Sequence, residues 1–490
     1  MLPLLFMAAT ITVTTADDYK KIEAAQPGDE VVIAPGKYAF RVFLQQQAPA
    51  NNPIVIRAQD PKNPPVWDLS AQNVEDAPGS YTAGDRGRGC WQLSGATNIT
   101  IESIVFTNCH TASFNSSGIR YYETTKGLLI KDCVFKNNDN GLTGGTQDSE
   151  ATVEFSEFDG NGNLGASQSS PTHNIYIYGG TFALRYSYLH DPIQGQNFHI
   201  RASQALIESN WITHGKSYEG DLMPNDDFAG NGPFSQSMIF RGNTIAQGNP
   251  ANHSQIIAVY NDAGLSNLTL HVEAINNTVI AAAPQGALVH LSNADGTKMS
   301  AVMTNNVLVN STTAYAIEDT NNGTVTGQNN WLQTGTNAGA LTSSIFGSDP
   351  MFDPQLLYHP GQGGPFINAA AAVPNTPITE YYRDHVVTRM YRVRNSVKDI
   401  GAFESTTTGP GIGPYDTQPP LDGGVTFPDG GGGGDGGGNG DGGGGGDGGT
   451  TGGGSSGCGC DVVGNSSGYG GVMALIGLLA AGRRRTRRAS

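Results

Sequence analysis

A short segment near the middle of the chain alternates apolar side chains with two side chains that could do chemistry. In the segment 197–202 (NFHIRA), apolar residues alternate with His199 and Arg201. Such alternation is typical of a β-strand with one face in the core, so both residues should project from the other face. An imidazole and a guanidinium side by side could abstract a proton and neutralise an anion.

The two flanking segments should add polar side chains to the same face. In 173–178 (HNIYIY) the isoleucines are the inward set, and 218–222 (YEGDL) alternates in the same way. Strands of stacked coils lie ~4.8 Å apart, so the outward residues of all three segments should form one patch. The predicted catalytic residues are His199, Arg201, Tyr176 and Tyr178, and the predicted substrate-binding residues are Asp221, Glu219 and His173.

This set of side chains suits the eliminative cleavage of a polysaccharide beside a uronic acid. That reaction needs a neutralised substrate carboxylate, a base for the C5 proton and an acid for the leaving oxygen. Arg201 could neutralise the carboxylate, His199 could be the base, and Tyr176 or Tyr178 could be the acid.

Three other interpretations of the patch remain open. A glycosidase would use two carboxylates across the bond, for which Glu219, Asp221, Asp226 and Asp227 are candidates. The acidic run that ends at Asp226 and Asp227 could instead bind Ca²⁺ through oxygen ligands. Arg201 and Asp221 could also form only a salt bridge between coils.

A degenerate repeat runs through the body of the chain. Nine segments align on one anchor position at intervals of 23 to 34 residues, and an apolar residue follows two positions after each anchor. A unit of about two dozen residues built from short strands and turns fits one coil of a parallel β-helix, with insertions in the longer units. The anchors are Ile104, Cys133, Ser156, Ser187, Asn210, Asn243, Asn277, Asn306 and Asn330.

The last five anchors are all asparagine, which predicts a hydrogen-bonded ladder along the axis of the solenoid. Asparagine is also a common turn residue, which explains one such position better than five in register. The missing leucine pattern excludes leucine-rich repeats, and the lack of longer four-strand units excludes propellers. The sequence therefore predicts an all-β, right-handed parallel β-helix.

Composition narrows the function classes. The formal net charge is −16 over 490 residues, and no basic patch with interleaved aromatic residues occurs, so we expect a monomer that does not bind nucleic acid. The five cysteines form neither a disulfide framework nor a CxxC metal pair. Cys109 and Cys133 are predicted to be buried free thiols, although neighbouring turns could bring them together.

The flanks of the repeat resemble known β-helix proteins. In 22–38 (IEAAQPGDEVVIAPGKY) a short helix should lead through a turn into a strand at 30–34. This resembles the N-terminal cap of pectate-lyase-like β-helices, especially the chondroitinase B and alginate lyase group. The segment 399–404 (DIGAFE) resembles the end of many bacterial β-helix domains.

The segments HNIYIY, NFHIRAS and SYEGDLMPN are similar, in order, to three stretches of bacterial β-helix proteins related to lyases. The second stretch there reads Lys-x-Arg-Ala, and in the lyases the Lys and the Arg carry the chemistry. Arg201 matches that pattern, whereas His199 stands at the Lys position. The resemblance implies a lyase-type site in which His199 would replace the lysine.

The two ends of the chain predict export. Residues 1–16 resemble a secretory signal peptide, although they contain no Lys or Arg. The body should span 17–404, and the Gly/Asp-rich segment 405–457 cannot bury a core and should be a disordered linker. The segment 458–490 contains Cys458 and Cys460, a short apolar helix at 470–482 and a cluster of arginines.

That last segment, with the Gly-rich spacer before it, resembles the myxobacterial C-terminal sorting tail (MYXO-CTERM). The resemblance implies recognition by a membrane sorting protease and anchoring at the cell surface, on the outer membrane, through Cys458 and Cys460. The sequence as a whole predicts a surface-anchored β-helix protein that engages polysaccharide, with lyase-type cleavage as the leading enzymatic version. The alternative is a non-catalytic carbohydrate-binding or adhesive protein. An open groove over the patch would favour cleavage, and mutual salt bridges without a groove would favour binding.

Overall fold

Three long parallel β-sheets form the body of the molecule. The computed structural model describes residues 8–71, 88–166, 172–216, 218–230, 232–248, 255–282, 286–381, 389–417 and 427. Within these residues the chain winds into a right-handed parallel β-helix, because each strand pairs with the equivalent strand one coil later. The predicted fold class is thereby confirmed, whereas Cys458, Cys460 and the apolar and arginine segments lie outside the described residues.

Sheet 1 has twelve strands among the described residues. They are β1 (Thr10–Val13), β2 (Glu30–Ile33), β5 (Ile54–Ala58), β8 (Ile99–Glu102), β11 (Leu128–Lys131), β14 (Glu150–Glu154), β17 (Thr181–Arg185), β20 (Gln204–Glu208), β23 (Phe234–Arg241), β26 (Leu268–Ile275), β29 (Lys298–Thr304) and β32 (Gly323–Gln328).

Sheet 2 has ten strands in the same part of the chain, and it contains the predicted site. They are β4 (Val42–Leu44), β7 (Gly89–Ser94), β10 (Ser117–Tyr122), β13 (Asn140–Gly144), β16 (Ile175–Ile177), β19 (Phe198–Ile200), β22 (Gly220–Leu222), β25 (Gln255–Tyr260), β28 (Ala287–Ser292) and β31 (Tyr315–Ile317).

Sheet 3 has twelve strands in the described ranges, and the repeat anchors precede nine of them. They are β3 (Lys37–Tyr38), β6 (Val66–Asp68), β9 (Val105–Thr107), β12 (Val134–Lys136), β15 (Glu157–Asp159), β18 (Tyr188–His190), β21 (Trp211–Thr213), β24 (Thr244–Ala246), β27 (Thr278–Ile280), β30 (Val307–Val309), β33 (Trp331–Gln333) and β34 (Ile345–Gly347).

Side chains along each strand alternate between the interior and the outer face, and the inward side chains fill the solenoid. The apolar residues two positions after the anchors stack in register along sheet 3. Phe135 lies between Phe106 and Phe158, with ring centroids 5.2 and 4.7 Å away. All three rings are fully buried, so the period-two pattern of the sequence does mark the core.

The predicted asparagine ladder is present. The Nδ2 atoms of Asn210 and Asn243 each donate to the Oδ1 atom of the next anchor at 3.1 Å. Asn277 and Asn306 repeat this contact at 2.9 Å, and Asn330 accepts the last one. Each Oδ1 also accepts from the backbone N–H of the preceding anchor, so every amide satisfies buried backbone groups as well as its neighbour.

The residue before each anchor turns the chain from sheet 1 into sheet 3. Most of these residues adopt positive φ, which the asparagine side chain tolerates well. This explains the Asn-Asn pairs of the sequence, in which the first residue makes the turn and the second joins the ladder. We name this column the αL corner; its non-glycine members are Ser103, Asp132, Phe155, Tyr186, Ser209, Asn276, Asn305 and Asn329, with φ between 49° and 58°.

The N-terminal end has the predicted helix, turn and strand. Helix α1 (Lys20–Glu23) buries Ile22 against the first coil, and β2 follows the turn. Strand β1 pairs in parallel with β2 and buries Val13, although it lies within the segment 1–16. The β-helix therefore begins before the predicted boundary at residue 17, and the signal peptide stays a prediction.

After β34 the chain runs back along the outside of the solenoid. This return segment (366–381 and 389–416) contains the antiparallel pair β35 (Thr379–Tyr381) and β36 (Tyr391–Val393). It follows the αL corner, whose residues bond to it one after another: Asn305 to Ala371, Asn276 to Asp399, Ser209 to Thr379, and Asp132 to Arg389 and Tyr415. These contacts continue beyond residue 404, so the predicted linker boundary is too early.

One of the two cysteines predicted to be free thiols differs from that prediction. Cys109 is not a free thiol, because it forms a disulfide with Cys90 of β7, with the Cα atoms 5.9 Å apart. Cys133 is a buried free cysteine, as predicted. The described residues include no helix that is long and apolar enough to cross a membrane.

Replacing Asn277 by Leu should lower the unfolding free energy by ~1–3 kcal/mol, because buried polar groups would lose their partners. Those groups are the carbonyl of Phe240, Oδ1 of Asn306, and the backbone N–H and side-chain amide of Asn243. Urea unfolding measures the change, with Asn51→Leu at an exposed position as the control. Equal midpoints for the two variants would contradict a stabilising ladder.

Candidate functional site

The structure brings the central predicted residues together on sheet 2. Tyr176 of β16, His199 of β19 and Asp221 of β22 occupy one register position on three successive coils. The edge of the Tyr176 ring meets the His199 ring at 4.4 Å, and the His173 ring stacks on His199 at 4.8 Å. The alternation in the sequence therefore predicts this juxtaposition correctly.

His199 and Arg201 point away from the core but are not open to solvent. Only 1% of His199 and 3% of Arg201 is exposed. The chain after β22 covers them: the guanidinium of Arg201 donates to the carbonyl oxygen of Pro224 and contacts the sulfur of Met223. The expectation of an exposed outer face is wrong at these two positions, because loops after later strands fold over it.

Both ring nitrogens of His199 are engaged. Nε2 accepts a hydrogen bond from Nε of Arg201 at 3.1 Å, so Nδ1 carries the proton and donates to Asp221 at 3.0 Å. Burial and the adjacent Arg201 hold the pKa of His199 well below its usual value. His199 is thus a neutral imidazole that links a carboxylate to a guanidinium.

The charge of Arg201 is matched by carboxylates from two loops. Nη1 lies 3.1 Å from Oδ1 of Asp262 and 3.2 Å from Oδ1 of Asp226, and Nη2 bonds to the other oxygen of Asp262. Although burial opposes the shift, the neighbouring Tyr176, Asp226 and Asp262 hold the pKa of Arg201 well above its usual value. The sequence-based alternative of an Arg201–Asp221 salt bridge is wrong, because His199 lies between the two groups.

The remaining predicted substrate-binding residues are also buried. Asp221 accepts from Gln196 at 2.6 Å as well as from His199. Burial raises the pKa of Asp221 to about 7, although His173 and Arg201 oppose the shift. His173 is 1% exposed, and its Nδ1 accepts from the backbone N–H of Gln196. Burial places the pKa of His173 well below its usual value.

Glu219 ends a second ladder at the corner between sheets 3 and 2. The side-chain amide of each asparagine donates a hydrogen bond of 2.8 to 2.9 Å to the next one, in the order Asn138, Asn161, Asn174 and Asn197. Asn197 in turn donates to Oε2 of Glu219. Glu219 is 1% exposed, and its Oε1 has no hydrogen-bond partner among the described residues. A role for Glu219 in direct substrate contact does not fit this position.

Asp226 and Asp227 face different partners. Asp226 pairs with Arg201, and Asp227 accepts from the backbone N–H of Gln147 at 2.5 Å. Partial burial raises the pKa of Asp226 to about 6, against the opposing effect of Arg201. The two carboxylates thus hold different parts of the chain, and a Ca²⁺ site at Asp226 and Asp227 stays a prediction.

An aromatic surface lies beside the chain of hydrogen bonds from Asp221 through His199 to Arg201, which we name the buried relay. We name it the tyrosine face, and it consists of Arg120, Tyr122, Tyr176 and Tyr178. The rings of Tyr122 and Tyr178 stack in parallel at 6.0 Å, and the guanidinium of Arg120 lies 4.8 and 5.9 Å from their centroids. Tyr176 adjoins Tyr178 at 4.4 Å, and all three tyrosines are partly exposed.

Sequence reasoning missed Arg120, Tyr122 and Asp262. The first two had a usable signal, because SGIRYY alternates around Ile119 and Tyr121 just as NFHIRA does around its apolar residues. Asp262 lies in a loop after β25, 61 residues beyond Arg201, and nothing in its local sequence points to that pairing.

Comparison with known proteins finds solved structures that share little sequence identity with this chain. No protein-family model and no curated protein matches the chain. The pectate lyase Pel9A is 13% identical, with a TM-score of 0.47 and coverage of 82% of this chain and 97% of that one. An alginate lyase from Paenibacillus sp. str. FPU-7 is 12% identical (TM-score 0.40; 68% and 99%), and the GH136 lacto-N-biosidase from Eubacterium ramulus is 10% identical (0.39; 69% and 68%).

Replacing Glu219 by Gln should stabilise the protein more at pH 8 than at pH 5. Burial raises the pKa of Glu219 from 4.5 to about 7, so the folded protein keeps a proton that the unfolded chain releases between those values. The contribution of this group to stability is therefore lost as the pH rises through 7, and the variant should gain ~1–3 kcal/mol over the wild type at pH 8.

Denaturant unfolding at several pH values measures this difference. Glu150→Gln, at an exposed position of β14, is the matched control and should follow the wild-type curve. A difference between Glu219→Gln and wild type that stays constant from pH 5 to pH 8 would show that Glu219 does not titrate in this window.

Proposed function

We propose that this protein is an exported β-helix protein that binds polysaccharide on the tyrosine face of sheet 2. The observation that carries the proposal is the parallel stack of the Tyr122 and Tyr178 rings with Arg120 beside them. Aromatic rings combine a broad apolar surface with a polar tip, which suits the mixed apolar and hydroxyl surface of a sugar ring. The stack runs along the solenoid axis, so it fits an extended chain.

Binding without cleavage agrees best with the state of the buried relay. A general base must reach the proton it abstracts, yet both nitrogens of His199 are occupied and the side chain is buried. Arg201 would have to leave Asp226 and Asp262 before it could neutralise a substrate carboxylate. Mutual saturation of this kind favours the adhesive or carbohydrate-binding alternative.

Eliminative cleavage of a polyuronate is the second candidate. The contact that favours it is the edge of Tyr176 against His199, which joins a partly exposed hydroxyl-bearing ring to the buried relay. In that case a movement of the loop that contains Asp226 would open the relay, and Arg201 would hold the uronate carboxylate. Tyr176 or Tyr178 would then donate a proton to the leaving oxygen.

The Tyr178→Ala variant of the full chain should bind polysaccharide roughly 10-fold more weakly than the wild type, since it removes one ring of the stack. Affinity electrophoresis against neutral glucans, galactans and mannans and against polygalacturonate and alginate measures the effect. Tyr415→Ala is the matched control, because Tyr415 is 49% exposed but belongs to the return segment.

The same samples separate binding from cleavage. Absorbance of unsaturated uronate products reports elimination, and its loss in His199→Ala and Arg201→Ala, with folding checked by melting, would support the second candidate. The proposed function would be overturned if none of these polysaccharides retards the wild-type protein and the protein cleaves none of them.

Export and surface attachment form part of the proposal. The Cys90–Cys109 disulfide supports an oxidising location, because such bonds persist outside the cytosol. The four-part C-terminal tail supports processing by a membrane sorting protease and attachment through Cys458 and Cys460. The apolar segment 1–16 supports secretion.

Deleting residues 458–490 should release the protein into the medium, because the anchoring segment would be gone. Cell fractionation and immunoblotting of the medium measure the change, and Cys458→Ser with Cys460→Ser tests whether the thiols alone are needed. A truncated protein that remains on the cell surface would contradict anchoring through the tail.

A further inference from the structure

A cluster of imidazoles and carboxylates lies on the outer face of sheet 3, away from the tyrosine face. Asp159 ends β15 and His190 ends β18, and the two residues pair in register. Asp191 follows His190, and His214 follows β21 on the next coil. We propose that Asp159, His190, Asp191 and His214 bind one divalent transition-metal ion of the Zn²⁺ class.

The donor atoms of Asp159, His190 and Asp191 already converge, and His214 adjoins them through Asp191. Nδ1 of His190 lies 2.8 Å from Oδ2 of Asp191 and 3.5 Å from Oδ1 of Asp159, and the three donor atoms lie within 4.8 Å of one another. Nδ1 of His214 lies 2.8 Å from the other oxygen of Asp191. Two imidazole nitrogens and two carboxylate oxygens match the number and type of ligands in a tetrahedral zinc site.

The surroundings of His190 fix which nitrogen faces this centre. Nε2 of His190 lies 3.3 Å from Oε1 of Glu157, while Nδ1 is directed at the two aspartates. Metal-binding histidines commonly hold their other nitrogen against a carboxylate in this way. Arg389 fixes Glu157 from the far side at 3.2 Å, and the Tyr188 ring stacks on the imidazole at 3.9 Å.

The fold accounts for the arrangement. Asp191 and His214 occupy the same turn on adjacent coils, and both have positive φ, 49° and 62°, which directs the two side chains toward each other. His190 is largely covered, whereas the side chains of Asp159, Asp191 and His214 are 45 to 53% exposed, so an ion could enter from solvent.

The chemistry selects the class of ion. Two carboxylates and two neutral imidazoles balance a divalent charge, and nitrogen ligands favour Zn²⁺, Co²⁺ or Ni²⁺ over Ca²⁺ and Mg²⁺, which prefer oxygen. The ion would bridge three successive coils, so it would stabilise the folded state according to its concentration and affinity.

Isothermal titration calorimetry with ZnCl₂ and thermal melting test this site. The full chain is used with Cys458→Ser and Cys460→Ser, because free thiols bind zinc themselves. We expect one ion per chain, a rise in melting temperature with ZnCl₂, and affinity lowered by ~10–100-fold in Glu157→Gln, which removes the carboxylate behind His190.

His214→Ala changes an exposed side chain, so the variant should keep the fold. It should weaken zinc binding at least as strongly as Glu157→Gln does. His110→Ala is the matched control, because Nδ1 of His110 also lies 2.8 Å from a carboxylate, Asp139, but at 38% exposure and outside the cluster. Zinc affinity that is equal in the parent, His214→Ala and His190→Ala, or a melting temperature unmoved by ZnCl₂, would overturn the proposal.

Discussion

The amide ladder at the corner between sheets 1 and 3 fixes the register on which everything else depends. Its five asparagines are fully or almost fully buried, so each amide must find partners within the protein, and the next coil provides them only at one register. A slip of one residue would leave buried amides unpaired and turn each strand's apolar face outward. The ladder thus sets which side chains meet on sheets 2 and 3.

The sequence predicts two kinds of property: those that depend on a single strand, and those that recur once in every coil. Alternation around Ile200 places His199 on the outer face, and the recurring asparagine predicts the ladder. The burial of Arg201 could not be predicted in this way, because it depends on Asp262 in a loop of variable length. The second ladder could not be predicted from the repeat, because Asn161 and Asn174 are only 13 residues apart and the repeat intervals are 23 to 34 residues.

The two outer faces show how the loops between strands decide the chemistry of a solenoid. On sheet 2 the loops that contain Asp226 and Asp262 neutralise Arg201 and remove it from solvent. On sheet 3 the side chains of Asp159, Asp191 and His214, at or just after the ends of β15, β18 and β21, remain accessible. The strands supply similar columns of polar groups in both places, and the side chains of the following loops determine whether those groups face each other or the solvent.

The return segment gives the chain an exit point far from its last coil. Tyr415 is held beside Asp132 and Ser103, whereas β34 closes the opposite end of the solenoid. A mechanical force applied through residues beyond 417 would therefore load the return segment first, in shear along the αL corner. A solenoid pulled from its own last coil would unwind one coil at a time, but here the segment must detach before β34 bears any tension.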